Sequence, residues 1–243
     1  TTRPNNIRYR MIYNQDCMEA MKEMSDNQFD LAIVDPPYGI GASKVSKKKH
    51  LIKQKNGKIS KTPNNNYKIK DWDKRTPSAE FFKQIKRVSK NQIIWGVNYY
   101  DYNLNGGRLV WDKLNDNCDQ FDCEIAYNSI NRRTDIIRYK WIGMFQGKSI
   151  SNNYAVANVQ NGNKKLNEKR IHPTQKPVKL YEWLLMNYAK EGDTILDTHL
   201  GSGSIAIACH NLGFELTGYE IDKEYFEAAK KRIEQHKQQG RLW

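Results

Sequence analysis

The sequence predicts one α/β domain built on a doubly wound, mostly parallel sheet. Short apolar runs such as Phe29–Val34 (FDLAIV) are typical of strands that are buried on both faces. Amphipathic segments such as Val178–Tyr188 lie between these runs, so strands and helices alternate along the chain. A parallel sheet with helices on both faces fits this alternation, and 243 residues suffice for a single domain, 1–243, with a sizeable core.

The elements are assigned in order from the N-terminus. A strand over Tyr9–Tyr13 leads into a helix over Cys17–Met24, and the buried run Phe29–Val34 forms the next strand. Proline stands at a favourable first position of a helix over Pro77–Ser89. The remaining strands are Gln92–Trp95, Leu109–Trp111, Glu124–Tyr127, Thr194–Leu196 and Glu215–Tyr219, and the remaining helices are Val178–Tyr188, Gly203–Leu212 and Lys223–Gln238.

Two segments interrupt the alternation. Residues 41–70 hold ten lysines and no Asp or Glu, with little apolar periodicity, so we expect a mobile loop. Residues 114–167 mix basic and aromatic side chains. Cations meet phosphates and rings stack on bases, so this mixture favours a nucleic-acid surface, and a solvated loop with a few packed aromatics is the alternative. The basic residues are Arg132, Arg133, Arg138 and Lys140, and the aromatic residues are Tyr139, Trp141 and Phe145.

Composition narrows the class of protein. A net charge of +13 attracts polyanions, chiefly nucleic acid, through phosphate contacts and counterion release. No apolar run reaches the roughly eighteen residues that span a bilayer, so we expect a soluble cytoplasmic protein without a membrane partner. Four cysteines form no CxxC pair and have no histidine cluster beside them, which favours free buried thiols and no bound metal.

The first chemical motif is Asp35-Pro36-Pro37-Tyr38, at the carboxyl end of a predicted buried strand, where open α/β sheets bind ligands. Two prolines stiffen the backbone and remove its N–H donors, which leaves the Asp35 carboxylate and the Pro36 carbonyl as acceptors. Acceptors alone suit a substrate amine, and Tyr38 can stack on the base that carries it. If the two acceptors bind both hydrogens of the amine, the nitrogen lone pair becomes localised and can attack a methyl group in line with its leaving group. A proline-rich turn is the alternative.

The second motif is the loop Asp197–Ser204, which lies between a strand and a helix. Its glycines let a ligand approach the backbone at a helix N-terminus. Glu220 ends the next strand about twenty residues on, where a carboxylate can bind both ribose hydroxyls of a nucleoside. A dinucleotide stays open as the ligand, whereas Asp197 favours a ligand with a cationic amine and no phosphate.

With their flanks, these motifs resemble those of the DNA amino-methyltransferases of restriction–modification systems and phages. The order is similar to the β-type arrangement, in which the catalytic motif precedes the cofactor loop. Asp35–Tyr38 matches the catalytic motif in full, and His172–Pro177 (HPTQKP) resembles the segment that leads into the cofactor loop. Asn14–Cys17 is similar to the opening segment, whose Asp contacts the cofactor adenine, and Ile94–Tyr99 resembles the strand that follows the catalytic motif.

The resemblance implies a Rossmann-like S-adenosylmethionine-dependent methyltransferase fold with circularly permuted motifs. The expected reaction is methyl transfer from S-adenosylmethionine to the N6 amine of a flipped adenine in DNA, with S-adenosylhomocysteine as product. The implied catalytic residues are Asp35, Pro36, Pro37 and Tyr38. The implied cofactor-binding residues are Asp16, Cys17, Asp35, Thr174, Gln175, Lys176, Asp197, His199, Gly201, Ser202, Gly203, Glu220 and Ile221.

The resemblance also assigns roles to the two unusual segments. The lysine-rich segment 41–70 follows the catalytic motif directly, so we expect it to grip the DNA backbone and to become ordered on binding. Residues 114–167 are expected to contain the target-recognition region. The expected DNA-binding residues are Lys44, Lys47, Lys48, Lys49, Lys53, Arg132, Arg133, Arg138 and Lys140. Such enzymes often pair, so the expected partners include DNA, a second copy of the chain and a cognate restriction endonuclease.

Several alternatives remain open on the sequence. Cytosine-N4 enzymes typically carry Ser in place of Asp35, and the family usually has Pro and Phe in place of Thr198 and His199. An RNA or protein amine methyltransferase usually has the opposite motif order. A non-catalytic DNA-binding module does not need the acceptor wall of Asp35–Tyr38, and a nicotinamide-dependent oxidoreductase needs a third glycine after Gly203. The sequence therefore favours adenine-N6 methylation.

Overall fold

The computed structural model describes residues 11–42, 51–53, 59–61, 68, 70–114, 121–142, 145–147 and 164–239. Within these ranges the strands are β1 (Met11–Tyr13), β2 (Phe29–Val34), β3 (Leu51–Lys53), β4 (Ile59–Lys61), β5 (Ser89–Trp95), β6 (Gly107–Asp112), β7 (Cys123–Asn128), β8 (Thr134–Arg138), β9 (Trp141–Ile142), β10 (Phe145–Gln146), β11 (Thr194–Asp197) and β12 (Glu215–Tyr219). The α-helices of the same ranges are α1 (Cys17–Lys22), α2 (Ala79–Val88), α3 (Val178–Tyr188), α4 (Ser204–Leu212) and α5 (Lys223–Gln239).

The main sheet has eight strands in the order β1-β12-β11-β2-β5-β7-β6-β8. The pairs β1/β12, β12/β11, β11/β2, β2/β5 and β6/β8 are parallel, and only β7 runs antiparallel to its two neighbours. The prediction of a doubly wound, mostly parallel sheet is confirmed. Because β7 is reversed, its amino end lies at the same edge of the sheet as the carboxyl ends of the other seven strands.

Side chains alternate between the two faces of the central strands. Leu31 and Ile33 of β2 belong to a core cluster that also contains residues of α3, α4 and α5. Ala32 and Val34 of the same strand belong to a second cluster, which contains residues of α1 and α2. Since successive side chains of a strand point to opposite faces, the helices cover both faces of the sheet. This arrangement leaves the loops at the carboxyl edge free to form a site.

The structure differs from the sequence prediction in three places. The lysine-rich segment is not loop throughout, because β3 and β4 form a short antiparallel pair within it. The strands β8, β9 and β10 were not predicted, since they lie in the segment that was assigned by its charge and not by its periodicity. Cys123 is exposed, whereas Cys17 and Cys209 are buried as expected. Cys118 lies outside the described residues.

The longest helix of the described ranges is α5, and its seventeen residues are strongly charged. None of the described helices is both long and apolar enough to cross a membrane.

Candidate active site

Two cavities meet at the carboxyl edge of the sheet. The first, which we name the glycine-loop cavity, has one lobe of about 320 Å³ and a neighbouring lobe of about 220 Å³. The second, which we name the aromatic cavity, encloses about 180 Å³. Asp35 and Pro37 line both the larger lobe and the aromatic cavity. The motif Asp35–Tyr38, which follows β2 directly, therefore stands at the junction of two ligand-sized spaces.

Most of the residues that the resemblance assigned to the cofactor line the glycine-loop cavity. Asp16 and Cys17 line the smaller lobe, at the start of α1. Asp197 and Gly203 do not line either lobe: Asp197 is buried beneath the loop, and Gly203 begins α4 in a left-handed conformation. The other assigned residues that line the cavity are Asp35, Thr174, Gln175, Lys176, His199, Gly201, Ser202, Glu220 and Ile221.

Glu220 is built into the wall by the backbone. One of its carboxylate oxygens accepts a hydrogen bond from the Gly201 amide at 2.8 Å, and the other accepts one from the Asp222 amide at 2.9 Å. A carboxylate offers about four lone-pair sites, so each oxygen keeps one for a ligand in the cavity. A Cβ added at Gly201 would project toward the His172 ring, 4.0 Å away, which also lines the cavity. The residues present therefore fit a nucleoside with free ribose hydroxyls.

Two acidic residues, Asp35 and Glu220, line the larger lobe of this cavity, and a third, Asp197, is buried beneath its loop. Burial raises the pKa of Asp197 to about 8, although the amide of His199 donates to its carboxylate at 3.0 Å, and the nearby Asp35 and Glu220 raise the pKa further. Burial likewise raises the pKa of Glu220. Negative groups that are held away from water favour a cationic ligand. A sulfonium or an α-ammonium group would meet this requirement, and a pyrophosphate would not.

His199 belongs to the wall and is held by its neighbours. Its Nδ1 lies 2.9 Å from the Thr198 hydroxyl, and its ring meets Phe81 edge-on with 5.4 Å between centroids. Burial lowers the pKa of His199 to about 4, so the imidazole is neutral at physiological pH. A neutral His199 ring that packs edge-on against Phe81 supplies an apolar surface to the cavity. The departure from the usual Pro and Phe therefore preserves an apolar wall.

The aromatic cavity is lined by rings on several sides. Its charged lining residues include Asp35, Glu124, Lys113 and Lys176. Flat apolar walls with a few polar groups suit a planar heterocycle that carries hydrogen-bonding edges. The aromatic lining residues are Tyr38, Trp72, Tyr99, Trp111, Phe121 and Trp141.

A buried charge cluster lies between the two cavities. The Lys176 Nζ lies 2.6 Å from Asp35 Oδ2 and 2.8 Å from Glu124 Oε2, and it donates to the Tyr38 hydroxyl at 2.9 Å. The second Glu124 oxygen pairs with Lys113 Nζ at 2.6 Å. Two ammonium groups thus balance two carboxylates. Such a cluster is stable only while all of its members are paired, because each charge is removed from water.

The cluster sets the protonation of its members. Burial raises the pKa of Asp35, and the Lys176 ammonium opposes that rise. Burial also raises the Glu124 pKa, but Lys176 and Lys113 outweigh it and the pKa is lowered overall. Burial and the two carboxylates hold the Tyr38 pKa well above its usual value. Tyr38 therefore keeps its proton, and its hydroxyl oxygen lies 2.7 Å from Asp35 Oδ1 and 3.0 Å from Glu124 Oε2, so its single hydrogen can be donated to either carboxylate.

The Tyr38 ring is held on one side by its neighbours. It stacks on Tyr99 with 5.0 Å between centroids and 15° between planes. A Cβ at Gly96, which has a φ of +79°, would lie 2.2 Å from the Tyr38 ring. Only glycine leaves room for the ring at this position. In this structure, then, Tyr38 stacks on a tyrosine, and stacking on a base stays a prediction.

The predicted acceptors, the Asp35 carboxylate and the Pro36 carbonyl, already receive hydrogen bonds from other side chains. Asp35 accepts from Tyr38 and Lys176, and the Pro36 carbonyl accepts from the Tyr100 hydroxyl at 3.1 Å. Each of these oxygens has a further lone pair. The wall can therefore still accept hydrogen bonds from an amine, but within a firm network and not as a set of free acceptors.

The structure separates the residues that were grouped as DNA-binding. Arg138 pairs with Asp112 at the carboxyl end of β8, and Lys140 follows it, so both lie at the edge of the sheet that holds the cavities. Arg132 and Arg133 precede β8 and lie at the opposite edge. Five residues of strand separate the two pairs by roughly 16 Å. A DNA-binding role for Arg132 and Arg133 stays a prediction, and these two residues lie away from the cavities.

The other residues of the DNA-binding prediction either lie outside the described residues or are buried. Lys44, Lys47, Lys48 and Lys49 lie outside the described residues, and Lys53 is described by its backbone alone. Tyr139 and Trp141, which were expected to stack on bases, are 4% and 5% exposed and belong to the core. Trp141 donates from its ring nitrogen to the Gln175 carbonyl at 2.8 Å. Trp141 therefore supports the HPTQKP segment and also lines the aromatic cavity, and neither ring is exposed at the surface.

Sequence reasoning did not identify several residues that line the aromatic cavity, among them Trp72, Asp73, Lys113 and Glu124. Trp111 and Glu124 stand directly opposite each other on β6 and β7, which places Glu124 beside an inward-facing ring. A charged residue at an inward position of an alternating strand was the available signal for Glu124. No local motif marks Trp72 or Asp73.

The DNA methylase family model N6_N4_Mtase matches residues 126–231. The type II methyltransferase M.HpaI of Haemophilus parainfluenzae is 27% identical over 244 residues, which cover 90% of this chain and 72% of that protein. The type II methyltransferase M2.DpnII of Streptococcus pneumoniae is 25% identical over 262 residues, covering 96% of this chain and 93% of that protein.

Solved structures of similar fold include a complex of M1.HpyAVI with S-adenosylmethionine. Its TM-score is 0.49 at 20% identity, with 92% of this chain and 100% of that chain covered. The PvuII DNA methyltransferase, described as cytosine-N4-specific, has a TM-score of 0.49 at 12% identity, with 94% and 93% covered.

Proposed function

We propose that the chain is a DNA amino-methyltransferase of restriction–modification type, which methylates the N6 amine of adenine in DNA. The enzyme uses S-adenosylmethionine, and its substrate is DNA. The target base, the roles of individual residues and the partners are the parts that we propose here.

One observation carries the proposal. Asp35 lines both the glycine-loop cavity and the aromatic cavity, so it is the group at which a methyl donor and a base amine would meet. Reacting atoms that are held in one place convert an encounter into a unimolecular step, which can supply a large share of the rate. A binding protein would gain nothing from joining the two spaces at an acceptor wall.

The glycine-loop cavity is the proposed cofactor site. When bound there, S-adenosylmethionine supplies an electrophilic sulfonium methyl group. Glu220 would accept from the ribose hydroxyls, Asp16 and Cys17 would flank the adenine, and the buried Asp197 would favour the cationic end. The remaining assigned residues, Thr174, Gln175, Lys176, His199, Gly201, Ser202, Gly203 and Ile221, would shape the wall and its loop.

The aromatic cavity is the proposed site of the flipped base. Asp35 and the Pro36 carbonyl would accept the two amine hydrogens, and Pro37 keeps the backbone rigid between the cavities. Tyr38, whose ring already lies in a stack with Tyr99, would offer its open face to the base. The N–C bond would form as the bond between the methyl group and the donor sulfur breaks, and the amine would then lose a proton. Asp35 is suited to accept that proton, because burial raises its pKa.

The choice of adenine rests on the catalytic motif. In the family that the chain resembles, cytosine-N4 enzymes typically carry Ser at the position of Asp35. A carboxylate is the stronger acceptor and can also take the proton that the amine releases. Cytosine N4 is the second candidate, since the family includes enzymes of that specificity.

We further propose that segments 41–70 and 114–167 contact DNA, with Arg138 and Lys140 on the side of the cavities. The basic composition of both segments supports this. A cognate endonuclease and a second copy of the chain are the proposed protein partners, and the cytoplasm is the proposed location.

The test is a methyl-transfer assay with labelled S-adenosylmethionine and mixed-sequence duplex DNA, followed by mass spectrometry of the nucleosides. N6-methyladenine is the expected product. N4-methylcytosine would overturn the choice of base and keep the mechanism, and label in neither nucleoside would overturn the proposal.

Asp35→Asn is the matched variant, because it keeps the shape and removes the charge. We expect transfer to fall at least about a hundredfold, since a preorganised acceptor acts on the transition state. Asp26→Asn, an exposed residue near the opposite edge of the sheet, is the control and should transfer at the normal rate. Full activity in Asp35→Asn would contradict its proposed role.

A further inference from the structure

Asp73 is a buried acid that belongs to none of the sequence motifs. Its side chain is 1% exposed and lies at the end of the excursion that the chain makes after the catalytic motif. A carboxylate in such a place must be satisfied by hydrogen bonds or by a cation. No described lysine or arginine is paired with it, and the backbone supplies its partners instead.

The Asp73 carboxylate gathers three amides from one loop. Its Oδ1 accepts from the amides of Tyr38 and Gly39, both at 2.8 Å, and its Oδ2 accepts from the amide of Ala42 at 2.6 Å. The Asp73 carbonyl accepts from the Gly41 amide at 3.1 Å. Four backbone amides of the segment 38–42 thus donate hydrogen bonds to this one residue.

The catalytic motif makes these contacts important. Pro36 and Pro37 have no N–H, so after Asp35 the backbone of the motif has no amide that can donate a hydrogen bond until Tyr38. Tyr38 is therefore the first residue of the loop that can donate, and Asp73 is its acceptor. Hydrogen bonds to an ionised carboxylate are roughly twice as strong as neutral ones. Asp73 accordingly fixes the C-terminal end of the motif, and β2 fixes its N-terminal end.

Close packing reinforces the same connection. Gly39 has a φ of +72°, and a Cβ there would lie 3.2 Å from both the Cγ2 and the backbone nitrogen of Thr76. The loop and the segment after Asp73 therefore touch along their backbones, which leaves little freedom for Tyr38 to shift.

The residues just before Asp73 reach the second cavity. Trp72 lines both the aromatic cavity and the larger lobe of the glycine-loop cavity. Lys70 pairs with Asp222 and Glu224, two and four residues beyond Glu220. Asp73 thus holds the catalytic loop to a segment that is itself attached to the cofactor side of the site.

We propose that Asp73 is a positioning residue for methyl transfer. It holds Tyr38 and the rest of the Asp35–Tyr38 loop at a fixed position relative to the glycine-loop cavity. The inference rests on the methyltransferase activity and applies equally to adenine and to cytosine. Asp73 lines the aromatic cavity, but both of its carboxylate oxygens accept from loop amides, so its effect passes through the backbone of the loop.

Asp73→Asn tests this role. An amide has one acceptor oxygen and presents an NH₂ group where a second acceptor is needed, so at least one loop amide loses its partner. A displacement of about 1 Å at the reacting groups costs on the order of a hundredfold in rate, so we expect kcat to fall by about that factor. The KM for each substrate should stay within about threefold, because the Asp73 carboxylate is directed to the loop amides and the proposed contacts to both substrates come from other residues.

The assay counts total labelled methyl groups, so the result does not depend on which base is modified. Asp71→Asn is the matched control, since Asp71 is exposed and pairs only with Lys74 at the surface, and it should behave as wild type. Calorimetry with S-adenosylhomocysteine checks that each variant is folded. If Asp73→Asn does not fold, Asp73→Glu, which keeps the charge and moves the oxygens, replaces it and should show the same loss of kcat.

Hydrogen exchange of the peptide that contains Tyr38, Gly39 and Ala42 gives a readout that needs no activity. Faster exchange in Asp73→Asn, with unchanged exchange in β5, is expected. An unchanged kcat, or unchanged exchange of that peptide, would overturn the proposal. A wild-type enzyme that transfers no methyl group would contradict the proposed function alone, and the exchange experiment would still decide whether Asp73 holds the loop.

Discussion

At the scale of single residues, the site depends on carboxylates with different environments. Glu220 is fixed by two amides and faces the cavity, Asp35 is matched to Lys176, and Asp197 is buried beneath the loop without a cation of its own. The three acids differ in what surrounds them, and they are expected to respond differently to substitution and to pH.

Glu220→Gln should weaken the binding of S-adenosylhomocysteine. Hydrogen bonds to a charged group contribute about 1.5–3 kcal/mol each, so the loss of the charge should raise Kd by roughly tenfold to a hundredfold. Calorimetric titration measures this change. The affinity for DNA should be unaffected, and Glu227→Gln, on the exposed face of α5, is the control. A variant that lost DNA affinity and kept the cofactor would place the ribose elsewhere.

Cofactor binding should release a proton near neutral pH. Because burial raises the pKa of Asp197 to about 8, the carboxyl is mostly protonated at pH 7 and ionised above pH 8. A cationic ligand favours the ionised form, so its affinity should rise as the pH rises toward 8 and then level off. Calorimetry of S-adenosylmethionine binding in buffers of different ionisation enthalpy counts the protons released.

The same titration with Asp197→Asn separates this acid from Asp35, whose pKa burial also raises. The proton release should be largely lost in the variant. Equal release in both proteins would assign it to another group.

At the scale of elements, the lysine-rich segment is joined to the catalytic loop at both of its ends. The Ala42 amide donates to the Asp73 carboxylate at 2.6 Å, so the chain leaves and returns at nearly the same point. The excursion is therefore an insertion that can be removed without stretching the residues around it.

Replacement of residues 44–67 by a short Gly/Ser linker should weaken DNA binding and leave the cofactor affinity unchanged. The deletion removes eight lysines and keeps Lys68 and Lys70, which are paired with the acids at the start of α5. Fewer cations near the phosphates means fewer released counterions. Fluorescence anisotropy with labelled duplex DNA measures the effect. An unchanged DNA affinity would show that the segment does not bind the backbone.

The elements that could be predicted are those with a regular apolar period. All five α-helices and the strands β1, β2, β5, β6, β7, β11 and β12 were predicted, most of them because their apolar residues recur at the spacing of a helix or fill a whole strand. β8 (TDIIR) lies in a polar, arginine-rich stretch, and its pairing with β6 joins residues about twenty-five positions apart. Pairing of this kind is decided by the neighbouring strand and not by local pattern.

The candidate site likewise has parts that the sequence predicts and parts that it does not. Asp35–Tyr38, the glycine loop and Glu220 are contiguous motifs, so their place at the carboxyl edge followed from the order of the strands. The charge cluster does not follow from any motif, because Lys113, Glu124 and Lys176 come from three distant parts of the chain. The alternation of β7 indicates only that Glu124 faces inward. Its partners become known when the fold brings them together.

At the scale of the whole molecule, charge is distributed unevenly between surface and site. The chain carries a net charge of +13, whereas Lys113, Lys176, Asp35 and Glu124 cancel one another at the junction of the cavities. The excess cations are therefore available to attract DNA, and the site itself is shielded from salt by burial.

DNA affinity and cofactor affinity should consequently differ in their response to salt. If six or more phosphates are contacted, raising the salt from about 50 to 200 mM weakens DNA binding by roughly a thousandfold. Binding of S-adenosylhomocysteine should change by less than about threefold over this range, because its contacts lie within a buried cavity. Parallel titrations by anisotropy and calorimetry measure both. A DNA affinity that is insensitive to salt would argue against a phosphate-contacting surface.

The charge cluster of Lys113, Lys176, Asp35 and Glu124 also affects whether the bound methyl donor can react with the enzyme's own side chains. Lys176 lines the glycine-loop cavity, so its primary amine stands close to where the reactive methyl group is proposed to be held. Burial alone would lower the pKa of Lys176, but Asp35 and Glu124 raise it overall, and its three N–H bonds are directed to Asp35, Glu124 and Tyr38. A protonated amine has no lone pair and cannot attack a methyl group. The ion pairs that hold the site together therefore also protect the enzyme from methylating itself.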